Sequence, residues 1–211
     1  MRGGNGLAVI LTGIALAAVT ACGGGRPQVF HPAGSLAPAM RAGPLGAVAA
    51  TAPGGFRFPA AVAVRFSAAP PATPARRAIV SGYQNYVLAL WAAVLSHGRD
   101  TAYQRLAAGN ALDFVRREVS YFTSNRLSIS GSIHYFAVTV GPVYFGGGAT
   151  VTACVDASAF RSTGADAGPV FPPKYARYLE DVAEGRRTDG TWFVAHTESY
   201  PATTSEGAIC R

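Results

Sequence analysis

The chain has 211 residues, 49% of them hydrophobic, and a formal net charge of +7. This apolar content is enough for one packed core, and residues 22–75 contain four arginines but no acidic side chain. Residues 76–211 are nearly balanced, with 13 basic and 11 acidic side chains, so a nucleic-acid partner is not expected. The four histidines and three cysteines lack the spacing of metal ligands, and no motif indicates a cofactor.

Residues 1–21 have the features of a secretory signal peptide. Arg2 supplies a positive charge, and the uncharged run Leu7–Val19 is shorter than the roughly 20 residues needed to cross a bilayer. The run ends in Val19-Thr20-Ala21-Cys22, which resembles the bacterial lipoprotein box. The resemblance implies cleavage before Cys22, a lipid on its sulfur and a protein anchored on the extracytoplasmic face of the cell membrane. The alternative is an ordinary secretory signal with an incidental cysteine.

The other two cysteines predict a disulfide. In an oxidising compartment Cys154 and Cys210 form an even pair. A bond between them would tie the last residues to the middle of the domain and contribute about 4 kcal/mol in the chain-entropy model. The alternative is two free thiols.

Residues 22–73 are rich in Pro, Gly and Ala and predict a flexible linker. One stretch differs, because apolar residues of one parity alternate with arginines across Phe56–Phe66. Pro59 would restrict such a strand to a sheet edge. Whether this stretch is ordered, and whether it docks on the folded domain or covers a pocket, is left open by the sequence.

Residues 74–211 predict a folded α+β domain that begins with helices. Thr73 and Pro74 favour a helix start, and Gly98 favours its end. A short second helix is expected from Asp100, and a third is expected with Asn110 as its cap. The apolar face of the third helix consists of Ala111, Leu112, Val115, Val119 and Phe122.

About four antiparallel strands are expected after the helices. Period-two patterns occupy residues 127–140, where a bulge near Gly131 or Ser132 would reconcile two parities, and 149–156. Residues 174–187 suit a helix or a strand, and we favour a strand because Asp189-Gly190 predicts a hairpin turn before 192–200.

The order of these elements resembles the nuclear-transport-factor-like cone, also called cystatin-like, which occurs in exported actinobacterial lipoproteins. The resemblance rests on the helix with Tyr83, Tyr86, Leu90 and Trp91, on the strand 149–156 and on 189–194. It implies helices packed on a curved antiparallel sheet, often around an apolar pocket. An actinobacterial source also fits the arginine-rich composition, in which Lys174 is the single lysine.

Two functions fit this resemblance. The first is non-catalytic binding of a small apolar ligand or an envelope protein, with pocket candidates Tyr83, Tyr86, Trp91 and Tyr121. The second is an isomerase, dehydratase or cyclase. It would use Asp156 as a base with His134 or His196. Each of these side chains also suits a merely structural role, and His196 with Glu198 suits a charge pair on a strand.

Overall fold

The computed structural model describes most of the chain from residue 50 onward. The described residues are 50–51, 55–69, 71–144, 147–163 and 168–211. The expected signal peptide, Cys22 and the tether through residue 49 lie outside the described residues.

Among the residues that the structure describes, three short strands precede the helices. β1 (Ala50–Thr51) and β2 (Arg57–Phe58) pair antiparallel, and β3 (Val62–Ser67) joins the edge of the main sheet. The Val62 amide donates to the Pro59 carbonyl at 2.9 Å, so the chain turns between β2 and β3. Residues 56–66 are therefore ordered. The main sheet includes β3, which lies within the range 22–73 that the sequence analysis assigned to the linker.

The helices are α1 (Pro74–Leu95), α2 (Tyr103–Leu106) and α3 (Gly109–Ser124). The predicted start of α1 is confirmed, because Thr73 Oγ1 accepts a hydrogen bond from the Arg76 amide at 3.2 Å. α1 is long and apolar enough to cross a membrane, but it is mostly buried within the fold. It serves as the central helix of the core.

The start of α3 differs from expectation. The helix begins at Gly109, and Asn110 does not cap it. Asn110 instead pairs with the Thr197 backbone, accepting from its amide at 2.9 Å and donating to its carbonyl at 3.3 Å. This side chain attaches α3 to the last strand of the sheet, a role that depends on tertiary contacts.

In the described part of the chain, the main sheet is mixed and has six strands. After β3 these are β4 (Ser128–Tyr144), β5 (Gly148–Thr163), β6 (Gly168–Pro169), β7 (Arg177–Arg186) and β8 (Trp192–Pro201). The order is β3-β4-β5-β7-β8 with β6 beside β5, and β3 runs parallel to β4. The α+β class is confirmed, but the expectation of about four antiparallel strands was wrong. β3 lies in the Pro-rich stretch whose order the sequence left open, and β6 is too short to show alternation.

The face of β4 that points toward the core changes along the strand. Ile133 and Tyr135 are buried on one parity, and Val138 is buried on the other. The β4–β5 register shifts between Phe136 and Thr139, and Ala137 has φ 49°. A further register shift, between Ser132 and His134, lies near the predicted bulge, but the inward face changes only near Ala137.

β7 and β8 form the predicted hairpin. Gly190 has φ 87°, and the Arg187 amide donates to the Thr191 carbonyl at 2.9 Å. Of the ambiguous residues 174–187, the stretch Arg177–Arg186 is a strand, and it follows a 3₁₀ helix at Pro173–Tyr175. Its inward side chains are Tyr178, Glu180, Val182 and Glu184.

Cys154 and Cys210 form the predicted disulfide, with Cα atoms 5.3 Å apart. The bond joins β5 to a 3₁₀ helix, Glu206–Cys210, at the end of the chain. Cys154 lies on the opposite face of β5 from the helices, and the bonded segment buries it there.

Candidate binding cleft

A cleft of about 820 Å³ opens beside the β7–β8 turn. The segment before β2, the middle of α1 and α2 contribute the other walls. The lining side chains include Phe56, Arg57, Asn85, Gln104, Arg105, Leu106, Arg187 and Thr191. Four regions that are distant in sequence therefore converge on one site.

The charged wall of the cleft is mainly basic. Arg57, Arg105 and Arg187 line it together with two acids, Asp100 and Asp189. Asp100 Oδ1 accepts from the Ala102 amide, and Asp189 Oδ1 accepts from the Thr191 amide, both at 2.9 Å. The hydrogen bonds from Thr191 lower the pKa of Asp189. Each acid thus accepts a hydrogen bond within its own turn. The three guanidinium groups outnumber the two acids and make the net charge of the cleft positive.

Arg187 is held in place by two contacts. Its guanidinium lies 4.6 Å from the centre of the Phe193 ring, and its Nε donates to the Arg105 carbonyl at 3.2 Å. These contacts join the hairpin to α2. A preorganised guanidinium beside a second arginine suits a carboxylate or phosphate group.

The cleft also has an apolar wall. Phe56, Ala102 and Leu106 line it and are partly buried against the main core. An acidic group among the arginines would therefore leave room for an apolar body against these three side chains. The geometry suits a small amphipathic anion.

The structure brings two of the predicted catalytic residues together on the outer face of the sheet. His134 on β4 and Asp156 on β5 are cross-strand partners, and both line an open groove of about 590 Å³. His134 Nε2 lies 2.8 Å from Ser67 Oγ. The helices pack on the other face, so this groove is separate from the core.

Asp156 is engaged in an ion pair. Arg177 Nε and Nη2 each approach its Oδ2 at 2.9 Å, and the Ser158 amide donates to its Oδ1 at 3.0 Å. Partial burial on its own would raise the pKa of Asp156, but the hydrogen bonds from Ser158 and Arg177 outweigh it and lower the pKa. An aspartate with a lowered pKa is a weak base at neutral pH.

His196 lies elsewhere on the sheet. It is exposed on β8, opposite Ala183, and its Nε2 lies 3.1 Å from Glu198 Oε1. β7 separates β8 from β5, so the structure does not bring His196 to Asp156. Hydrogen bonds from Tyr200 and His196 lower the pKa of Glu198.

Three of the predicted pocket residues lie inside the core. Tyr83, Tyr86 and Trp91 are buried on α1, whereas Tyr121 on α3 is only partly buried, with its ring edge-to-face against Phe122. Tyr83 Oη donates to Glu180 Oε2 at 2.5 Å. Trp91 Nε1 donates to Tyr135 Oη at 3.0 Å. The first helix thus carries a polar network into the apolar interior.

The sequence analysis missed three buried carboxyl groups. Burial raises the pKa of Glu118 to about 8, of Glu180 to about 7 and of Glu184 to about 9. The positive charge of Arg117 partly opposes the rise in the pKa of Glu118. Hydrogen bonds from Tyr83 and Thr197 partly oppose the rise in the pKa of Glu180. Neither carboxyl oxygen of Glu184 has a hydrogen-bond partner among the described residues.

A sequence signal for these glutamates existed. Glu180 and Glu184 share the parity of Tyr178 and Val182, and Glu118 fits the helical spacing of Ala111, Val115 and Phe122. Glutamate is rarely buried, which conceals the signal. In the described part of the chain, no group of three or more His, Cys, Asp or Glu side chains has the arrangement of a metal site.

No family model matches the chain, and no curated protein matches it. Among solved structures, the chain is similar to the intermembrane space region of the chloroplast protein ARC6, with 16% identity and a TM-score of 0.42 over 62% of this chain and 99% of that one. It is also similar to a proposed ketosteroid isomerase from Shewanella frigidimarina NCIMB 400, with 16% identity and a TM-score of 0.35 over 57% and 96%. At TM-scores this low, neither similarity assigns a family or a function to the chain.

Proposed function

We propose that this protein is a lipid-anchored extracytoplasmic binding domain that takes a small amphipathic anion in the cleft beside the β7–β8 turn. The observation that carries the proposal is that Arg57, Arg105 and Arg187 line one cleft together with the apolar residues Phe56, Ala102 and Leu106. The lipoprotein box at Cys22 supports the anchor and the compartment. In the described residues α1, α2 and α3 precede strands β4 to β8, and both α1 and α3 contact β8, which supports the cone architecture.

The cleft modifies the ligand class expected from the sequence. A purely apolar ligand would leave the arginines, which outnumber Asp100 and Asp189, only partly neutralised, whereas an acidic group would pair with them. The apolar wall keeps a role for a hydrophobic body. An acyl chain that ends in a carboxylate or phosphate has this chemistry.

The enzyme alternative has less support. A general base is most effective when its pKa lies near the working pH, and the pKa of Asp156 is lowered. Asp156 and His134 face an open groove, where water would compete with a substrate for both side chains. Binding without catalysis therefore fits the described geometry better.

Calorimetric titration would test the cleft. The protein would be the mature chain, residues 22–211, with Cys22→Ser, and the probes octyl phosphate and the neutral 1-octanol. We expect octyl phosphate to bind more tightly, and Arg105→Gln to weaken it by roughly tenfold, because a charge-assisted hydrogen bond is lost. Arg116→Gln, an exposed arginine on α3 outside the cleft, is the matched control. Equal affinity for both probes, or equal losses in both variants, would contradict the proposal.

A further inference from the structure

The end of the sheet beside the cleft carries a second set of exposed side chains. Tyr144 at the end of β4 is opposite Gly148 of β5, and Gly148 is opposite Gly185 of β7. A Cβ atom on Gly147 would lie 3.0 Å from Arg186 Cβ, and one on Gly148 would lie 3.7 Å from the Tyr144 ring. The two adjacent glycines thus place Tyr144 and Arg186 close together at the tips of neighbouring hairpins.

These tips extend the basic wall of the cleft. A depression of about 420 Å³ around the β7–β8 turn contains Arg186 and shares Arg187 and Asp189 with the cleft. Arg57, Arg105, Arg186 and Arg187 therefore belong to one continuous surface. None of these four arginines forms an ion pair with a carboxylate of the described residues. The four arginines outnumber the two acids of the same lining, Asp100 and Asp189, so the surface carries a net positive charge.

Apolar side chains are exposed beside this charge. Val143 is 51% exposed and Tyr144 is 57% exposed, and both lie at the tip of the β4–β5 hairpin. Within the described residues, the other exposed large apolar side chain is Ile209, which lies in the 3₁₀ helix tied to β5 by the disulfide. Tyr144 lies near Arg186, and with the exposed Val143 these side chains give the hairpin tips an amphipathic character. We call this region the hairpin-tip surface (Val143, Tyr144, Arg186 and Arg187).

We propose that the hairpin-tip surface docks the domain onto an anionic membrane. Guanidinium groups pair with lipid phosphates, and a tyrosine with an adjacent valine suits the boundary between headgroups and acyl chains. This inference rests on the proposed anchor at Cys22. The sequence predicts a linker for the 27 residues between Cys22 and β1, and a linker of this length would span about 30 Å on average and keep the domain near the bilayer. Docking in this orientation directs the cleft toward the lipid surface.

Vesicle flotation separates docking from anchoring, because the mature chain with Cys22→Ser has no lipid. The vesicles contain phosphatidylglycerol with phosphatidylcholine, or phosphatidylcholine alone. We expect binding to the anionic vesicles that falls roughly tenfold in the variant Arg186→Gln/Tyr144→Ser. The matched control is Arg126→Gln/Ile209→Ser, since Arg126 precedes β4 at its opposite end and Ile209 lies in the C-terminal helix. Equal losses in the two variants would overturn docking through this surface.

The same variants distinguish this proposal from the proposed function. Arg186 and Tyr144 do not line the cleft, so the docking variant should keep the octyl phosphate affinity of the Cys22→Ser chain. Undiminished vesicle binding by this variant would refute docking and leave the cleft proposal standing. Loss of octyl phosphate binding in Arg105→Gln with normal vesicle binding would support both assignments.

A fluorescent reporter distinguishes a bilayer from a soluble polyanion. Tyr144→Trp should shift its emission to shorter wavelength with anionic vesicles, because the indole enters a less polar environment. Ile209→Trp is the control and should not shift. Sodium polyphosphate should leave the Tyr144→Trp emission unchanged. A shift with polyphosphate equal to that with vesicles, or no shift with vesicles, would overturn the membrane assignment.

Discussion

The close packing around Glu184 changes the pH at which this side chain ionises. It is 4% exposed, and a Cβ atom on Gly82 would lie 3.2 Å from its Oε2 and 2.4 Å from Trp192 Cβ. Glycine at position 82 therefore lets α1 approach β8 closely. In this enclosed position, burial raises the pKa of Glu184 to about 9, so the folded protein holds the group neutral at pH 7.

The raised pKa of Glu184 predicts lower stability at alkaline pH. The unfolded chain ionises this group above about pH 4.5 and the folded chain near pH 9, so the folded state binds more protons in between. The stability linked to this group is fully present below the pKa of the group in the unfolded chain, and it is lost as pH rises toward 9. In the variant Glu184→Gln, the free energy of unfolding should fall less steeply with pH, by about 1 kcal/mol per pH unit between pH 5 and 8. Urea unfolding at several pH values measures this slope. Glu206→Gln, at an exposed glutamate, should leave the slope unchanged, and an unchanged slope in Glu184→Gln would refute the assignment.

At the scale of elements, the C-terminal 3₁₀ helix depends on β5. The disulfide attaches it, and Arg211 Nε donates to the Ala202 carbonyl at 2.9 Å. Asn110 similarly attaches α3 to β8, and Arg187 attaches the β7–β8 hairpin to α2. Each element is held by a few long-range contacts in addition to the core.

Removal of the disulfide should destabilise the whole domain. The bond closes a separation of 56 residues, for which the chain-entropy model predicts a loss of about 4 kcal/mol in the variant Cys154→Ala/Cys210→Ala. The free energy of unfolding in urea measures the loss. Dithiothreitol should destabilise the unmodified protein by a similar amount and leave the variant unaffected. Equal stability of the oxidised protein and the variant would show that the bond contributes nothing.

At the scale of the whole molecule, three parts combine in one chain. The proposed anchor lies at Cys22, the tether follows it, and the α+β domain presents the cleft and the hairpin-tip surface. The signal sequence expected at residues 1–21 implies export, and the disulfide is compatible with an oxidising compartment. β3 lies at one edge of the main sheet.

The anchor predicts where the full chain resides in a bacterium that processes lipoproteins. The unmodified protein should fractionate with membranes and begin at an acylated Cys22, because its acyl chains insert into the bilayer. Cys22→Ser should shift most of the protein out of the membrane fraction. Immunoblots of the fractions and mass spectrometry of the N-terminal peptide measure both results. An uncleaved leader, or a membrane fraction that Cys22→Ser leaves unchanged, would contradict the anchor.

Local patterns in the sequence determined much of the domain. The Thr73-Pro74 start of α1, the inward Val151, Ala153 and Val155 of β5 and the Asp189-Gly190 turn follow from short-range chemistry, and the structure confirms them. The pairing of Cys154 with Cys210 needed only the count of cysteines and the expected compartment. Each of these features depends on neighbouring residues or on composition.

Only the tertiary structure determined the sites. Arg57, Arg105 and Arg187 come from separate elements, and their meeting depends on how α2 and the hairpin pack. The parallel pairing of β3, the inward glutamates of β7 and the ion pair at Asp156 likewise depend on which strands are neighbours. Periodicity shows which residues of an element share a face, but it does not show which distant element that face meets.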